Sequence, residues 1–166
     1  MKKSLRFNIQ TINLSIYLTL LIPSILFFLY WITPFISIPL TLFCLYILYN
    51  YYKINNNFRE YVDISISHLA VMAILLFYTL YACGIGQFSM AKDDILLRSN
   101  MIFSHLKYYH WPVFIQVENS DFTLLSYYLA YFIPLSLISK IIPSINIYYL
   151  EFIWAFLTLY LGLLFF

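Results

Sequence analysis

Charged residues are scarce in this sequence. They make up only 10% of the 166 residues, while 63% of the residues are hydrophobic. A soluble domain of this size usually carries about a quarter charged residues. A soluble core cannot bury this much apolar side-chain surface, whereas a lipid bilayer solvates it. The shortage of charge therefore excludes an ordinary soluble domain and predicts an integral membrane protein in contact with the lipid bilayer.

Cysteine and net charge are also limited. The only two cysteines, Cys44 and Cys83, fall inside apolar runs, which argues against a disulfide framework or a cysteine metal site. The net charge is +2 and the basic residues are scattered, which argues against a nucleic-acid partner.

His105 and His110 are five residues apart, on different faces of a helix, so they do not form a metal pair. No cofactor is evident, and ligand spacing does not support a divalent ion such as Mg²⁺ or Mn²⁺.

Five apolar runs approach the length of a membrane-spanning helix, which needs about 20 residues. They cover residues 12–31, 36–52, 64–85, 122–139 and 147–166. The first run carries no charge; it is too long for a signal peptide, and no small-residue cleavage site follows it. We therefore expect an all-α membrane protein with about five transmembrane helices.

The basic residues predict the orientation of these spans. With the N-terminus cytoplasmic, the inside segments hold six lysines and arginines and the outside segments hold three. The long loop of residues 86–121 is then extracytoplasmic, and the C-terminus lies at the outer surface. The chain ends inside an apolar run, so we expect residues 1–166 to form a single membrane domain, the N-terminal part of a longer polytopic protein.

The long loop concentrates the polar chemistry, because residues 84–121 hold four of the seven acidic residues and two of the three histidines. Asp93 or Asp94 can cap a helix that runs to about Tyr109. One apolar face of this helix holds Ile95, Ile102, Leu106 and Tyr109, and a second apolar strip holds Leu97, Met101 and Tyr108. Two apolar strips predict a helix that lies in the membrane interface, with spans on one side and lipid on the other.

Asp94 has two interpretations. Its spacing of four residues from Arg98 allows a salt bridge on one helix face, in which case Asp94 is a structural cap. Alternatively, Asp94 is a general base that deprotonates an acceptor hydroxyl, since a carboxylate beside a bilayer is partly desolvated and becomes a better base. The residues alone leave both interpretations open.

Two further ionisable residues fall inside apolar runs. His68 lies one turn inside the third run, where a hydrogen bond to a neighbouring helix is the ordinary expectation, although ionisable groups within membranes are often functional. Glu151 lies near the start of the fifth run. We expect it to be an interfacial carboxylate, paired with Lys140 across the intervening turn.

Several short motifs resemble a known group of proteins. They are G-I-G-Q-F from Gly84, then Asp94, Asn100 and Ile102, W-P-V at 111–113, and S-Y-Y-L-A-Y-F-I-P-L-S-L-I-S-K at 126–140. Together they cover about residues 84–143 and resemble bacterial multi-spanning membrane proteins that look like integral-membrane glycosyltransferases of the GT-C type. The resemblance implies a protein of the bacterial inner membrane that uses a polyprenyl-phosphate-linked sugar.

In that superfamily the first large extracytoplasmic loop carries an essential aspartate. The resemblance therefore implies a catalytic role for Asp94 or Asp93. The choice stays open because the spacing from Asp94 to Asn100 differs by one residue from that in the group, which also tends to have tryptophan where this sequence has Ile95. Three cationic or ionisable side chains of the same loop are candidates to bind the donor phosphate. They are Arg98, His105 and Lys107.

A second hypothesis comes from a different functional class. The chain could be a non-catalytic polytopic protein, either a truncated remnant or a subunit of a system that assembles or transports envelope polysaccharide. This hypothesis predicts association with another polytopic membrane protein. It also predicts that Asp93 and Asp94 can both be replaced without loss of function.

Overall fold

The computed structural model describes residues 4–55, 60–88, 94–116, 122–125 and 129–165. The helices are α1 (Ile9–Trp31), α2 (Pro34–Asn55), α3 (Ile66–Ala82), α4 (Asp94–Tyr108), α5 (Leu129–Ile141) and α6 (Ile147–Phe165). The strands are β1 (Ser4–Asn8), β2 (Tyr61–Ser65), β3 (Phe114–Gln116) and β4 (Phe122–Leu124). A short 3₁₀ helix, Ile85–Gln87, follows α3.

Three helices, α1, α2 and α6, are long and apolar enough to cross a membrane. At 1.5 Å per residue they measure about 35, 33 and 28 Å, against a hydrocarbon thickness of about 30 Å. Large apolar side chains cover the outside of the bundle, with Phe35 91% exposed and Tyr78 70% exposed. Three apolar helices of spanning length with this much exposed apolar surface confirm the membrane class predicted from composition.

The count of five spans is not confirmed. Helix α3 has 17 residues and α5 has 13, and both are apolar but shorter than the other three. Within the predicted fourth span, residues 122–139, the structure has strand β4 and the start of α5 instead of one continuous helix. At about 20 Å, α5 is too short to cross the hydrocarbon region without distorting the bilayer.

The helices α3 and α6 run antiparallel. Leu80, near the end of α3, packs with Phe152 near the start of α6. At the other end, the Tyr160 hydroxyl donates a hydrogen bond to the Leu69 carbonyl at 3.3 Å. The predicted topology, with the C-terminus outside, would have these two helices run in the same direction. The structure differs because α5 does not carry the chain back to the opposite end of the bundle.

The start of α1 and the start of α3 meet through two strands that the sequence analysis did not predict. Strands β1 and β2 pair antiparallel, with Ser4 opposite Ser65 and Asn8 opposite Tyr61. We call this the ribbon end of the bundle. The opposite end, where α1 and α3 end and α6 begins, also carries α4 and α5, and we call it the loop end.

At the loop end, α4 and α5 lie side by side and run in the same direction. The ring centroids of Phe103 and Phe132 are 4.9 Å apart, and directly after the end of α4 the Tyr109 carbonyl accepts a hydrogen bond from the Lys140 ammonium at 2.8 Å. Ile102 and Leu106 are 7% and 0% exposed, so the predicted apolar face of α4 is its packing face at these two positions.

The other predicted apolar strip of α4 faces away from the protein. Met101 is 58% exposed and Tyr108 is 76% exposed.

His68 is also exposed, in the first turn of α3, where its backbone N–H donates to the Ser65 hydroxyl that caps the helix. Among the described residues, the His68 side chain makes no hydrogen bond to a neighbouring helix, so the predicted contact is not supported there.

Two serines of α5 are buried without hydrogen-bond partners among the described residues. Ser136 and Ser139 are both 0% exposed, and neither hydroxyl is satisfied. Replacing either residue by alanine is expected to raise the free energy of unfolding by about 1 kcal/mol, because the desolvated hydroxyl disappears. Replacement by leucine is expected to lower it by roughly 1–3 kcal/mol, since the site has no space for a larger side chain.

Thermal unfolding in detergent micelles measures both effects. Alanine variants that unfold more easily than the parent by 1 kcal/mol or more would show that these hydroxyls stabilise the helix packing.

Candidate functional site

The two predicted catalytic residues lie at the start of α4. Asp93 is outside the described residues. Asp94 is the first residue of α4, and Arg98 follows four residues later, about 6 Å along the helix axis. The side chains of both residues lie outside the described part of the structure. The backbone therefore brings one acid and one cation within a single helical turn.

His105 and Lys107 lie at the other end of α4, on different faces. His105 places Nδ1 2.6 Å from the Met101 carbonyl oxygen, and its ring stacks on Tyr109 with centroids 5.5 Å apart. The Lys107 ammonium lies 5.7 Å from the centroid of the Tyr108 ring. Two residues of separation turn a helix by about 200°, so these side chains point in different directions.

The residues predicted to bind the donor phosphate do not all lie close to Asp94. Lys107 is 13 residues after Asp94, which corresponds to about 20 Å along the helix axis. A group held at Lys107 cannot also reach a base at Asp94 within hydrogen-bond distance, about 3 Å. Arg98 is the one member of the predicted set that is close enough to Asp94 in the chain to share a site with it.

Lys107 lines an open cavity of about 340 Å³ between the last turns of α4 and the start of α6. Its polar lining residues are Ser104, Lys107, Tyr108, Ser144, Asn146 and Tyr148. The Asn146 side-chain oxygen accepts the Tyr148 N–H at 2.9 Å and caps α6. One cation beside hydroxyl and amide groups is suited to a small anionic or polar group.

Trp111, in the W-P-V motif, joins three helices at the loop end. Its indole N–H donates to the Leu106 carbonyl of α4 at 2.8 Å. Its ring lies 5.5 Å from that of Trp31 at the end of α1 and 4.4 Å from the Lys140 ammonium of α5. The peptide bond between Trp111 and Pro112 is cis. The motif therefore fixes the end of α4 to the rest of the bundle.

Glu151 is a residue whose position the sequence analysis misjudged. Its side chain is only 5% exposed, and its carboxylate accepts a hydrogen bond from the Gly86 backbone N–H. The predicted pairing with Lys140 is wrong, because the Lys140 ammonium binds the Tyr109 carbonyl and lies over the Trp111 ring. A single acid in an apolar run was a visible indication, but its partner lies 65 residues away in the chain.

Residues 84–87, which we call the glycine turn, approach α6 closely at Glu151. Gly84 and Gly86 both have φ of 76°, a conformation that favours glycine. A Cβ atom on Gly86 would lie 2.8 Å from the Phe152 Cβ and 2.9 Å from the Tyr148 carbonyl oxygen. The G-I-G part of the motif is thus needed to bring the backbone against α6.

Within the described residues, no group of three histidine, cysteine or acidic side chains is arranged to hold a metal ion. The described acidic and histidine side chains are dispersed: Glu151 is buried on α6, while His105 contacts the backbone of its own helix.

Replacing Gly86 by alanine is expected to lower the free energy of unfolding by roughly 1–3 kcal/mol, because the new Cβ meets Phe152 and the backbone at positive φ. Gly162, in the middle of α6, has no atom within 4 Å of an added Cβ. Gly162→Ala is the matched control and is expected to raise the free energy of unfolding by up to about 1 kcal/mol.

Thermal unfolding in micelles compares the two glycine variants. If Gly86→Ala were as stable as the parent, the close approach of the glycine turn to α6 would be contradicted.

Comparison with known proteins found no relative of this chain. No protein-family model matches the chain, and neither a curated protein nor a solved structure matches it significantly.

Proposed function

We propose that this chain is the membrane part of a GT-C-like glycosyltransferase. It would transfer a sugar from a polyprenyl-phosphate donor to an extracytoplasmic acceptor. The motif resemblance over residues 84–143 supports this proposal. The structural observation that carries it is the position of α4, which presents Asp94 and Arg98 one turn apart on a helix that is packed against the bundle.

The proposed chemistry needs a base and a cation at neighbouring positions. Asp94 would take the proton of the acceptor hydroxyl as that hydroxyl attacks the anomeric carbon of the donor sugar. The bond from that carbon to the phosphate oxygen breaks, and the phosphate leaves with the polyprenyl chain. Arg98 would stabilise the phosphate charge, because a guanidinium pairs with two phosphate oxygens at once.

The packing of α4 supports a fixed site. Phe103 and Leu106 are 2% and 0% exposed, and the Trp111 indole holds the end of the helix through the Leu106 carbonyl. These contacts hold the second half of α4, and the continuous helix connects that half to Asp94 in its first turn. The polyprenyl chain of a donor would lie in the lipid next to the same end of the bundle, provided that the loop end faces the extracytoplasmic side.

In this proposal the cavity beside Lys107 has a different role from Asp94 and Arg98. Because Lys107 is about 20 Å from Asp94 along α4, it would not bind the reacting phosphate. The cavity is open and borders α6, so it would hold a group that approaches from the membrane surface, such as a polar portion of the acceptor.

Asp94→Asn is expected to lower the rate of sugar transfer by at least 100-fold without changing membrane insertion, because a general base contributes about 10²–10⁴ in rate. Radiolabelled sugar transfer from a polyprenyl-phosphate donor, in membranes that contain the intact protein, measures the effect. Asp93→Asn run in parallel decides which aspartate is the base.

Asp63→Asn is the matched control for these variants. It makes the same chemical change at the ribbon end, in β2 opposite Arg6, and is expected to leave the transfer rate within twofold of the parent. If both Asp93→Asn and Asp94→Asn transferred sugar at the parent rate, neither aspartate would be the base. The proposed role of these aspartates as the general base would then be rejected.

A further inference from the structure

Glu151 is a buried carboxylate that the proposed transfer reaction does not use. It lies in α6, an apolar helix of membrane-spanning length, and is 5% exposed. A carboxylate in low-dielectric surroundings is unfavourable unless a donor satisfies it. The position of Glu151 therefore indicates that a compensating interaction satisfies its carboxylate.

The surroundings of Glu151 come from three parts of the chain. Gly86 of the glycine turn lies directly against this part of α6, where an added Cβ would be 2.8 Å from the Phe152 Cβ, and its N–H donates to the Glu151 carboxylate. The phenol of Tyr131, on α5, lies close enough to interact with it electrostatically. Phe88, directly after the glycine turn, stacks on Tyr149 of α6 with ring centroids 5.4 Å apart. The carboxylate thus lies where the chain leaving α3 crosses α6.

The geometry of the glycine turn shows why an acceptor is needed at this place. Gly84 and Gly86 turn the chain sharply after α3, so the Gly86 N–H is not used by helix α3. Gly86 is buried against Phe152, where water does not reach its backbone. An acceptor on α6 satisfies the Gly86 amide, whereas an apolar side chain at position 151 would leave that donor unpaired.

We propose that Glu151 is a positioning residue that fixes the glycine turn to α6 through the Gly86 amide. Seven residue steps separate Gln87 from Asp94, so the anchor keeps the first residue of α4 within about 25 Å of the glycine turn. The hydrogen bond between Glu151 and Gly86 does not depend on which reaction the protein catalyses. Its consequence for the transfer rate rests on the proposed glycosyltransferase function.

Amide hydrogen exchange of the intact protein in micelles, read at Gly86 by mass spectrometry or NMR, tests the anchor directly. In the parent protein the Gly86 amide is expected to exchange at least 100-fold more slowly than in an unstructured peptide. In Glu151→Leu, which suits an apolar helix but cannot accept a hydrogen bond, exchange is expected to be at least tenfold faster than in the parent. In Glu151→Gln, whose amide oxygen still accepts, it is expected to stay within threefold.

Thr158→Val is the matched control on the same helix. It also replaces a polar side chain by an apolar one, but the Thr158 hydroxyl donates only to carbonyls of α6 itself. Its Gly86 exchange is expected to equal that of the parent. An unprotected Gly86 amide in the parent protein would overturn the proposal, and so would unchanged exchange in Glu151→Leu.

The sugar-transfer assay tests the positioning role. Glu151→Leu is expected to lower kcat at least tenfold with KM for the donor within threefold, and Glu151→Gln is expected to restore kcat. If Asp94→Asn abolishes transfer while Glu151→Leu keeps the parent kcat, the positioning role is overturned and the proposed function stands. If neither Asp93→Asn nor Asp94→Asn affects transfer, the proposed function fails, and hydrogen exchange alone decides whether Glu151 anchors the turn.

Discussion

Backbone groups in the irregular segments of this protein need hydrogen-bond partners, and wherever such a segment lies against lipid only the protein can supply them. Four polar side chains supply such partners at the loop end. Trp31 donates to the Leu125 carbonyl, Trp111 to the Leu106 carbonyl and Lys140 to the Tyr109 carbonyl. Glu151 accepts the Gly86 N–H. Each bond joins a side chain to a backbone group of a different segment, so together they fix the segments between α3 and α6.

These four bonds explain how so few polar residues can organise the loop end. Apolar packing alone specifies position weakly in a membrane, since lipid is as apolar as the helices. A hydrogen bond to a particular carbonyl or N–H has one satisfactory geometry. The aromatic ring of Trp111 adds contact with the Lys140 ammonium at 4.4 Å, so charge and apolar surface are satisfied at the same point.

The sequence predicts the helices well where apolar runs are continuous. Residues 12–31 and 147–166 correspond closely to α1 and α6, and α4 covers Asp94–Tyr108, close to the helix predicted to run to about Tyr109. The strands β1 and β2 and the early start of α1 were not predicted, because strand pairing depends on residues about 60 positions apart. The shortness of α5 was missed because its apolar composition continues through residues that do not form a helix at β4.

In the candidate site, too, spacings within one helix could be predicted from the sequence, whereas contacts between distant elements could not. The spacing of Asp94 and Arg98 follows from the sequence alone, since both lie on one helix. The hydrogen bond of Glu151 with Gly86 could not be deduced, because it joins two elements whose packing depends on the whole bundle. Once α4 is known to be one continuous helix, Lys107 is too far from Asp94 to share its site.

The antiparallel packing of α3 and α6 places the glycine turn beside Glu151, and the proposed anchor depends on it. Spin labels on exposed positions measure it, in a background with both native cysteines replaced by serine. The pairs Val71 with Leu159 and Tyr78 with Ile153 are expected to give the short distances, and the crossed pairs to be offset by about 10 Å along the axis. Shorter distances for the crossed pairs would show that α3 and α6 run in the same direction and would contradict the account.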